Sequence, residues 1–236
     1  MNLKVFFKMN PELSLSVPIY NEEECIEKSV NNWVEKFEKE KVDYELVLVN
    51  NGSFDKTGEI LNRLAKKNNR LKIITLKENA GFGGGIMKGF ENSDGEYIGF
   101  DCADGEIPVE EVFKVYSIAK KSNEEIVKAR RIKRKTKFFR QFTSFVFNNL
   151  ILLRFNLKIK DMNGYPIFIK KKDYEKLNVK RTDFMFNLDL YNNAIKKDFK
   201  IKEVLVNHRA RIGGKSYMNL WRIIKMAWSL VEYSFS

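Results

Sequence analysis

The chain of 236 residues and 27.8 kDa is long enough to bury one full hydrophobic core. Its single histidine, His208, and its two cysteines, Cys25 and Cys102, outside any CxxC pair, exclude a histidine-rich or zinc-ribbon metal site and point to a reducing compartment. No run of about 18 apolar residues occurs, so no transmembrane helix is predicted. Residues 1–10 lack the apolar stretch of a signal peptide.

The formal charge of +12 is unevenly spread. Residues 128–140 carry eight basic side chains and no acidic one, and residues 126–160 contain no carboxylate at all. Phe138, Phe139, Phe142, Phe145 and Phe147 accompany the run. A basic stretch with interleaved aromatics suits an anionic membrane surface. Nucleic acid competes on charge alone, but it leaves the loop motifs below unexplained, and no nucleic-acid partner is expected.

In chain order, an apolar run from Leu13 stops at the polar loop Tyr20-Asn21-Glu22-Glu23. A second, 45–49, stops at Asn50-Asn51-Gly52-Ser53. Such runs, ended by turn formers, read as buried strands. The amphipathic stretch 26–40 between them predicts a helix and so a parallel strand–helix–strand unit. Residues 58–68 predict a helix capped by Asp55 or Thr57, and 71–76 a third strand. A helix over 86–91 follows the glycine-rich segment 81–85, and 96–100 is a fourth strand. Helix 109–122, strand 126–129, helix 138–155, turn 161–166, strand 167–169, helix 188–197 and strand 201–206 complete the pattern. The expected fold is α/β, with a Rossmann-like, mostly parallel central sheet flanked by helices. One domain is expected over 1–217, followed by an amphipathic helix over 218–236 at a membrane surface or dimer contact.

Sheets of this kind bind ligands at the carboxyl ends of their strands. The segment 81–85 lacks the Gly-Lys-Ser/Thr ending of a P-loop and the GxGxxG spacing of a dinucleotide site, and close helix–sheet packing explains it equally well. Asp101, Asp104 and Glu106 cluster after a strand. Such carboxylates repel one another unless a cation neutralises them, and hard oxygen donors suit Mg²⁺ or Mn²⁺.

The motifs, taken in order, resemble a family 2 glycosyltransferase of the GT-A fold, of the dolichyl- or polyprenyl-phosphate mannosyl- and glucosyltransferase kind. The Val-Pro-x-Tyr-Asn-Glu opening is residues 17–22, and the Asp-Asp-Gly-Ser-x-Asp-x-Thr block is 50–57. The Asn-x-Gly-x-Gly helix entry is 79–83, and the Gly-Asp-Tyr-Ile…Asp-Ala-Asp-x-Gln…Pro block is 95–108. The Gly-x-Arg…Arg…Ser pattern falls on Ala129, Arg131, Arg140 and Ser144. Asp-x-Asn-Gly-x-Pro is 161–166, and Arg-x-x-Gly-x-Ser is Arg211, Gly214 and Ser216.

The resemblance implies an inverting enzyme that moves a sugar from a nucleotide sugar to a polyprenyl phosphate, or, in a variant, to a saccharide hydroxyl. It implies that Pro18, Tyr20 and Glu22 line the base and ribose, that Val49 and Asn51 meet the base, and that Cys102, Ala103 and Asp104 lie under the diphosphate. Asp104 and Glu106 would hold Mg²⁺ or Mn²⁺. Arg131, Arg140 and Ser144 would hold the acceptor phosphate or the leaving diphosphate, and Arg211 and Lys215 would close over the donor. Asp104, Arg131, Arg140 and Asp161 are the implied catalytic residues. Asp161 and Asp189 are the candidate bases if the acceptor is a hydroxyl; His208 reads as structural. The expected location is cytoplasmic, on the inner face of a membrane, with a homodimer as a further expectation.

The chain departs from the pattern at three places. The Asp-Asp pair is Asn50-Asn51, the first Asp of Asp-x-Asp is Cys102, and Tyr217 stands where a lysine often follows Gly-x-Ser. These changes motivate a second reading, a catalytically degraded nucleotide-sugar-binding protein.

Overall fold

In the computed structural model of the chain, residues 10–132, 155, 158–213, 228–230 and 232–233 are described. The first four strands are β1 (Leu13–Ile19), β2 (Tyr44–Asn51), β3 (Leu71–Leu76) and β4 (Tyr97–Phe100). Between and after them lie α1 (Ile26–Lys39), α2 (Thr57–Ala65), α3 (Gly81–Glu91) and α4 (Val109–Lys121). The second half adds β5 (Ile126–Ile132), β6 (Ile167–Lys170), α5 (Lys171–Leu177), α6 (Phe186–Lys196) and β7 (Ile201–Asn207). The expected helix 138–155 lies outside the described residues apart from Phe155. Helix α5 was not expected from the sequence, and α3 begins five residues earlier than expected.

The seven strands form one sheet in the order β3-β2-β1-β4-β6-β5-β7. All neighbours are parallel except β6, which runs antiparallel to both β4 and β5. This is the expected mostly parallel α/β sheet. The register places Ile19 beside Asn50 and Ser16 beside Phe100. The carboxyl ends of β1, β2, β4, β5 and β7, and the start of β6, therefore open onto one edge. Strands β1 and β2 are buried almost throughout, as expected when helices cover both faces of a sheet.

The glycines of α3 serve packing. A Cβ at Gly83 would lie 2.7 Å from the Arg181 carbonyl oxygen and 2.7 Å from Phe186 Cβ. One at Gly89 would lie 1.7 Å from Ser16 Oγ on β1. Only a residue without a side chain lets the helix approach the strand this closely. On an open helix face, glycine to alanine stabilises by about 1 kcal/mol. Gly89→Ala is expected to do the opposite, losing about 1–3 kcal/mol through overpacking. A midpoint in urea equal to or above that of the parent protein would contradict this.

Of the C-terminal segment 218–236, Leu230 is buried in the core and Trp228 is exposed. The Tyr233 hydroxyl donates to Asp189 Oδ1 at 3.1 Å and accepts from Asn192 at 3.0 Å. Among the described residues, no helix is long and apolar enough to cross a membrane.

Candidate active site

The loops after β1 and β2 clamp each other. The backbone N–H groups of Asn21 and Glu22 donate to Ser53 Oγ at 3.0 Å and Thr57 Oγ1 at 2.9 Å. In return, Phe54 N–H donates to Asn21 Oδ1 at 3.0 Å and Lys56 N–H to Glu23 Oε2 at 3.0 Å. Asp55 accepts from Thr57 N–H at 2.9 Å, at the start of α2. Asn21 adopts a φ of 53°, a left-handed conformation that asparagine tolerates. The short polar residues at these strand ends thus satisfy backbone groups that the sheet leaves open. Pro18 and Tyr20 are half-buried at this edge, and Tyr20 meets exposed Phe54 edge-on at 6.1 Å.

Past β4 the acidic residues separate. Asp101 is buried and accepts from Trp33 Nε1 of α1 at 3.1 Å, and Ser29 Oγ of the same helix donates to the Ala103 carbonyl at 2.7 Å. Asp104 and Glu106 turn together toward Tyr165, whose hydroxyl lies 3.4 Å from each Asp104 oxygen and 3.3 Å from Glu106 Oε2. His208 Nε2 lies 3.1 Å from the same Glu106 oxygen. Burial and then the Glu106 charge push the Asp104 carboxyl up to about 6. Burial also pushes the Cys102 thiol well above its usual range, and Asp104 adds to it.

Past the end of β7 the chain runs through His208 to Arg211, which returns to the β1 loop. Its Nη2 pairs with both Glu22 oxygens, and its Nη1 lies 3.7 Å from Asp104 Oδ2. Burial opposes the charge, but Glu22 more than offsets it and holds the guanidinium firmly protonated. Glu22 also accepts from Cys25 Sγ at 3.1 Å. On the other flank, Arg131 at the end of β5 forks onto Asp161. Its Nε and Nη2 each donate at 2.8 Å, and its backbone N–H adds a third bond at 3.0 Å. The guanidinium lies 5.4 Å from the centre of the Tyr165 ring.

Asp104, Glu106, Arg131, Asp161, Glu22 and Arg211 thus come together at one sheet edge. Two of the expected nucleotide-contacting residues sit apart from this group. Val49 is fully buried, on the face that packs against Gly89 of α3, so its side chain does not line the cleft. Asn51 accepts from Ala80 N–H and donates to the Gly81 carbonyl, both at 2.9 Å, which ties its amide to the start of α3. Arg140, Ser144 and Lys215 lie outside the described residues. Asp189 accepts from the N–H groups of Lys180 and Arg181 at 2.7 and 3.1 Å and caps that turn. Tyr165, Trp33 and Ser29 were not singled out from sequence. Tyr165 occupies the unspecified position of the Asp-x-Asn-Gly-x-Pro motif, and no sequence signal marks the other two.

A family model, Glycosyl transferase family 2, matches residues 14–178. The chain belongs to glycosyl transferase family 2. Among the relatives of this family 2 chain, the undecaprenyl-phosphate 4-deoxy-4-formamido-L-arabinose transferase of Proteus mirabilis is 31% identical over 150 residues, 63% of this chain and 45% of that protein. The dolichyl-phosphate beta-glucosyltransferase of Trichomonas vaginalis is 30% identical over 244 residues, 97% of this chain and 74% of the relative. The family 2 chain thus spans under half the length of the Proteus protein. Glucosyl-3-phosphoglycerate synthase from Mycobacterium tuberculosis, in complex with Mn²⁺, UDP and glucosyl-3-phosphoglycerate, superposes with a TM-score of 0.72 at 15% identity, over 95% of this chain and 80% of that one. At that identity the likeness is one of fold, and it confirms the GT-A architecture.

Asp101 offers a test of how this edge is charged. Burial pushes its carboxyl up to about 8, so the native protein keeps a proton that the unfolded chain releases above about pH 4. Native stability therefore falls as pH rises through that window, and the loss is complete above about 8. Asp101→Asn removes this dependence. Its melting temperature is expected to gain on the parent protein from pH 5 to pH 8 and to run parallel above that. Parallel curves throughout would refute a buried neutral acid.

Proposed function

We propose that this chain transfers a sugar, with inversion, from a nucleotide sugar to a polyprenyl phosphate at a membrane surface. The observation that carries the acceptor is the state of the candidate bases: Asp161 is committed to Arg131 and Asp189 to a backbone turn. A hydroxyl acceptor needs a carboxylate to take its proton. A phosphate monoester is already anionic near neutral pH and does not. The named activities of the Proteus and Trichomonas relatives support the same acceptor class.

Cleavage of the sugar–phosphate bond builds negative charge on the departing diphosphate. Fixed cationic groups that meet this charge lower the barrier. Arg211, from the segment after β7, exchanges Glu22 for the donor phosphates and closes over them. Arg131, held rigid by Asp161, presents its remaining donors to the acceptor phosphate, a task that suits the planar guanidinium fork. Asp104 and Glu106 fit a divalent ion: two hard oxygen donors, with Asp104 held above its usual range by burial and by its neighbour's charge. Among the described residues, no group of three or more His, Cys, Asp or Glu is placed to hold a metal. Mg²⁺ or Mn²⁺ would therefore share this pair with donor phosphates and water, its common mode. When bound, the ion supplies charge stabilisation at the diphosphate. The basic and aromatic composition of residues 133–147 suits contact with anionic lipid.

The test is release of nucleoside diphosphate from UDP-, GDP- and dTDP-linked sugars with Mn²⁺ or Mg²⁺ and a short polyprenyl phosphate. Release that requires the lipid phosphate is expected. Equal release with a free saccharide alcohol in its place would overturn the acceptor.

A further inference from the structure

Lys128 is fully buried, yet it carries an ammonium group that the chemistry above does not use. Its Nζ donates to the main-chain carbonyl of Asp161 and, at 3.1 Å, to that of Ala129, and lies 3.4 Å from Glu203 Oε1. The Tyr191 ring covers it, 5.5 Å from Nζ to the ring centre. Glu203, across the sheet on β7, accepts the backbone N–H groups of Lys160 at 2.9 Å and Asp161 at 3.0 Å. Glu203 thus holds the Asp161 N–H, and the Asp161 carbonyl accepts from Lys128 Nζ as well as from the Gly164 N–H at 3.0 Å, while the Asp161 side chain forks onto Arg131.

We infer that the Lys128–Glu203 pair is a positioning element that sets the 158–166 segment, and through Asp161 and Tyr165 fixes Arg131 against the Asp104–Glu106 carboxylates. The inference rests on the reading of the site given above. Neither residue touches substrate. A methionine would fill the Lys128 site, and replacing a buried ion pair with apolar groups is often neutral or stabilising. The charges are therefore not needed to fill space. Burial pushes the Lys128 ammonium down to about 8 while Asp161 and Glu203 pull it back up, as expected for a cation retained at some cost. An apolar side chain would leave the Asp161 carbonyl to the Gly164 N–H of its own turn and could not tie it to β5, and a misplacement of about 1 Å far from the reacting atoms can cost about 100-fold in rate.

The test compares Lys128→Met and the double variant Lys128→Met/Glu203→Gln with the parent protein. Three quantities are measured: thermal stability, amide hydrogen exchange over 158–166, and kcat and KM for nucleotide sugar and lipid phosphate. Lys128→Met is expected to exchange faster in that segment and to lose about 10- to 100-fold in kcat with donor KM unchanged. The double variant has no unpaired buried charge, so it recovers the melting temperature, but not the kcat or the protection. Recovery of kcat together with stability would mean a merely structural pair and would overturn the inference, as would unchanged exchange in both variants. If the parent protein turns over no nucleotide sugar, the reading of the site fails and the effect on kcat with it. The exchange data then decide separately whether the pair holds the segment.

Discussion

Asp104→Asn is expected to lower turnover about 10³-fold while the melting temperature at pH 7 holds or rises. The two effects have one origin. Asp104 sits beside Glu106 in a buried setting that raises its carboxyl to about 6. The unfolded chain releases this proton near pH 4, so the native state loses stability from about pH 4 to 6 and bears the full penalty above. An amide removes that penalty and keeps the acceptor for Glu106 N–H, which lies 3.0 Å from Oδ1. It also removes the charge that a divalent ion needs. Steady-state rates over a range of Mn²⁺ concentrations, with melting curves at pH 5, 7 and 8, separate the two. Turnover within tenfold of the parent protein would remove Asp104 from the machinery. A clear fall in melting temperature at pH 7 would show that its charge is satisfied in the native state.

Asp161→Ala is expected to be the most destabilising single change at the site. The Arg131 and Asp161 side chains are 5% and 8% exposed, so salt and water screen the pair little. Removing one partner of such a pair costs about 3–5 kcal/mol, because a buried charge is left behind. Asp161→Asn keeps an acceptor oxygen and should lose less. Arg131→Met/Asp161→Asn should regain much of the stability and none of the activity, since the pair's charges matter to the fold only when one is orphaned. Urea midpoints and turnover for the three variants check this order. A loss below about 1 kcal/mol for Asp161→Ala would mean that water reaches the pair and that Arg131 is not rigidly aimed.

Much of this was legible before any coordinates, for local reasons. The runs ending at Tyr20 and Asn50 alternate with helical stretches, and β1, α1, β2, α2, β3 and β4 lie where this pattern places them. Asp104 and Glu106 were found because carboxylates after a strand need a reason to be there. Helix α5 was missed because its polar run LysLysAspTyrGluLysLeu (171–177) shows little apolar face. The Gly81–Gly85 segment allows a phosphate reading in sequence, but Thr182, Arg181, Phe186 and Pro18 occupy the space a Cβ would take there. The family resemblance sets Val49 at the base, whereas its side chain is fully buried and packs toward Gly89 of α3.

The amino-acid sequence by itself determined the strand–helix alternation, the family, and the polar loops that meet at the carboxyl edge. These follow from hydrophobic periodicity and turn chemistry, which act between residues close in the chain. Only the tertiary structure decided which partners each charge has. Arg211 reaches Glu22 across a separation of 189 positions, Lys128 reaches Glu203 across 75, and Arg131 takes the carboxylate that sequence offered as a base. Such pairings depend on where the sheet order brings strand ends together and on how deeply each group is buried. Burial sets the strength of an electrostatic contact, and no residue's neighbours in sequence reveal it.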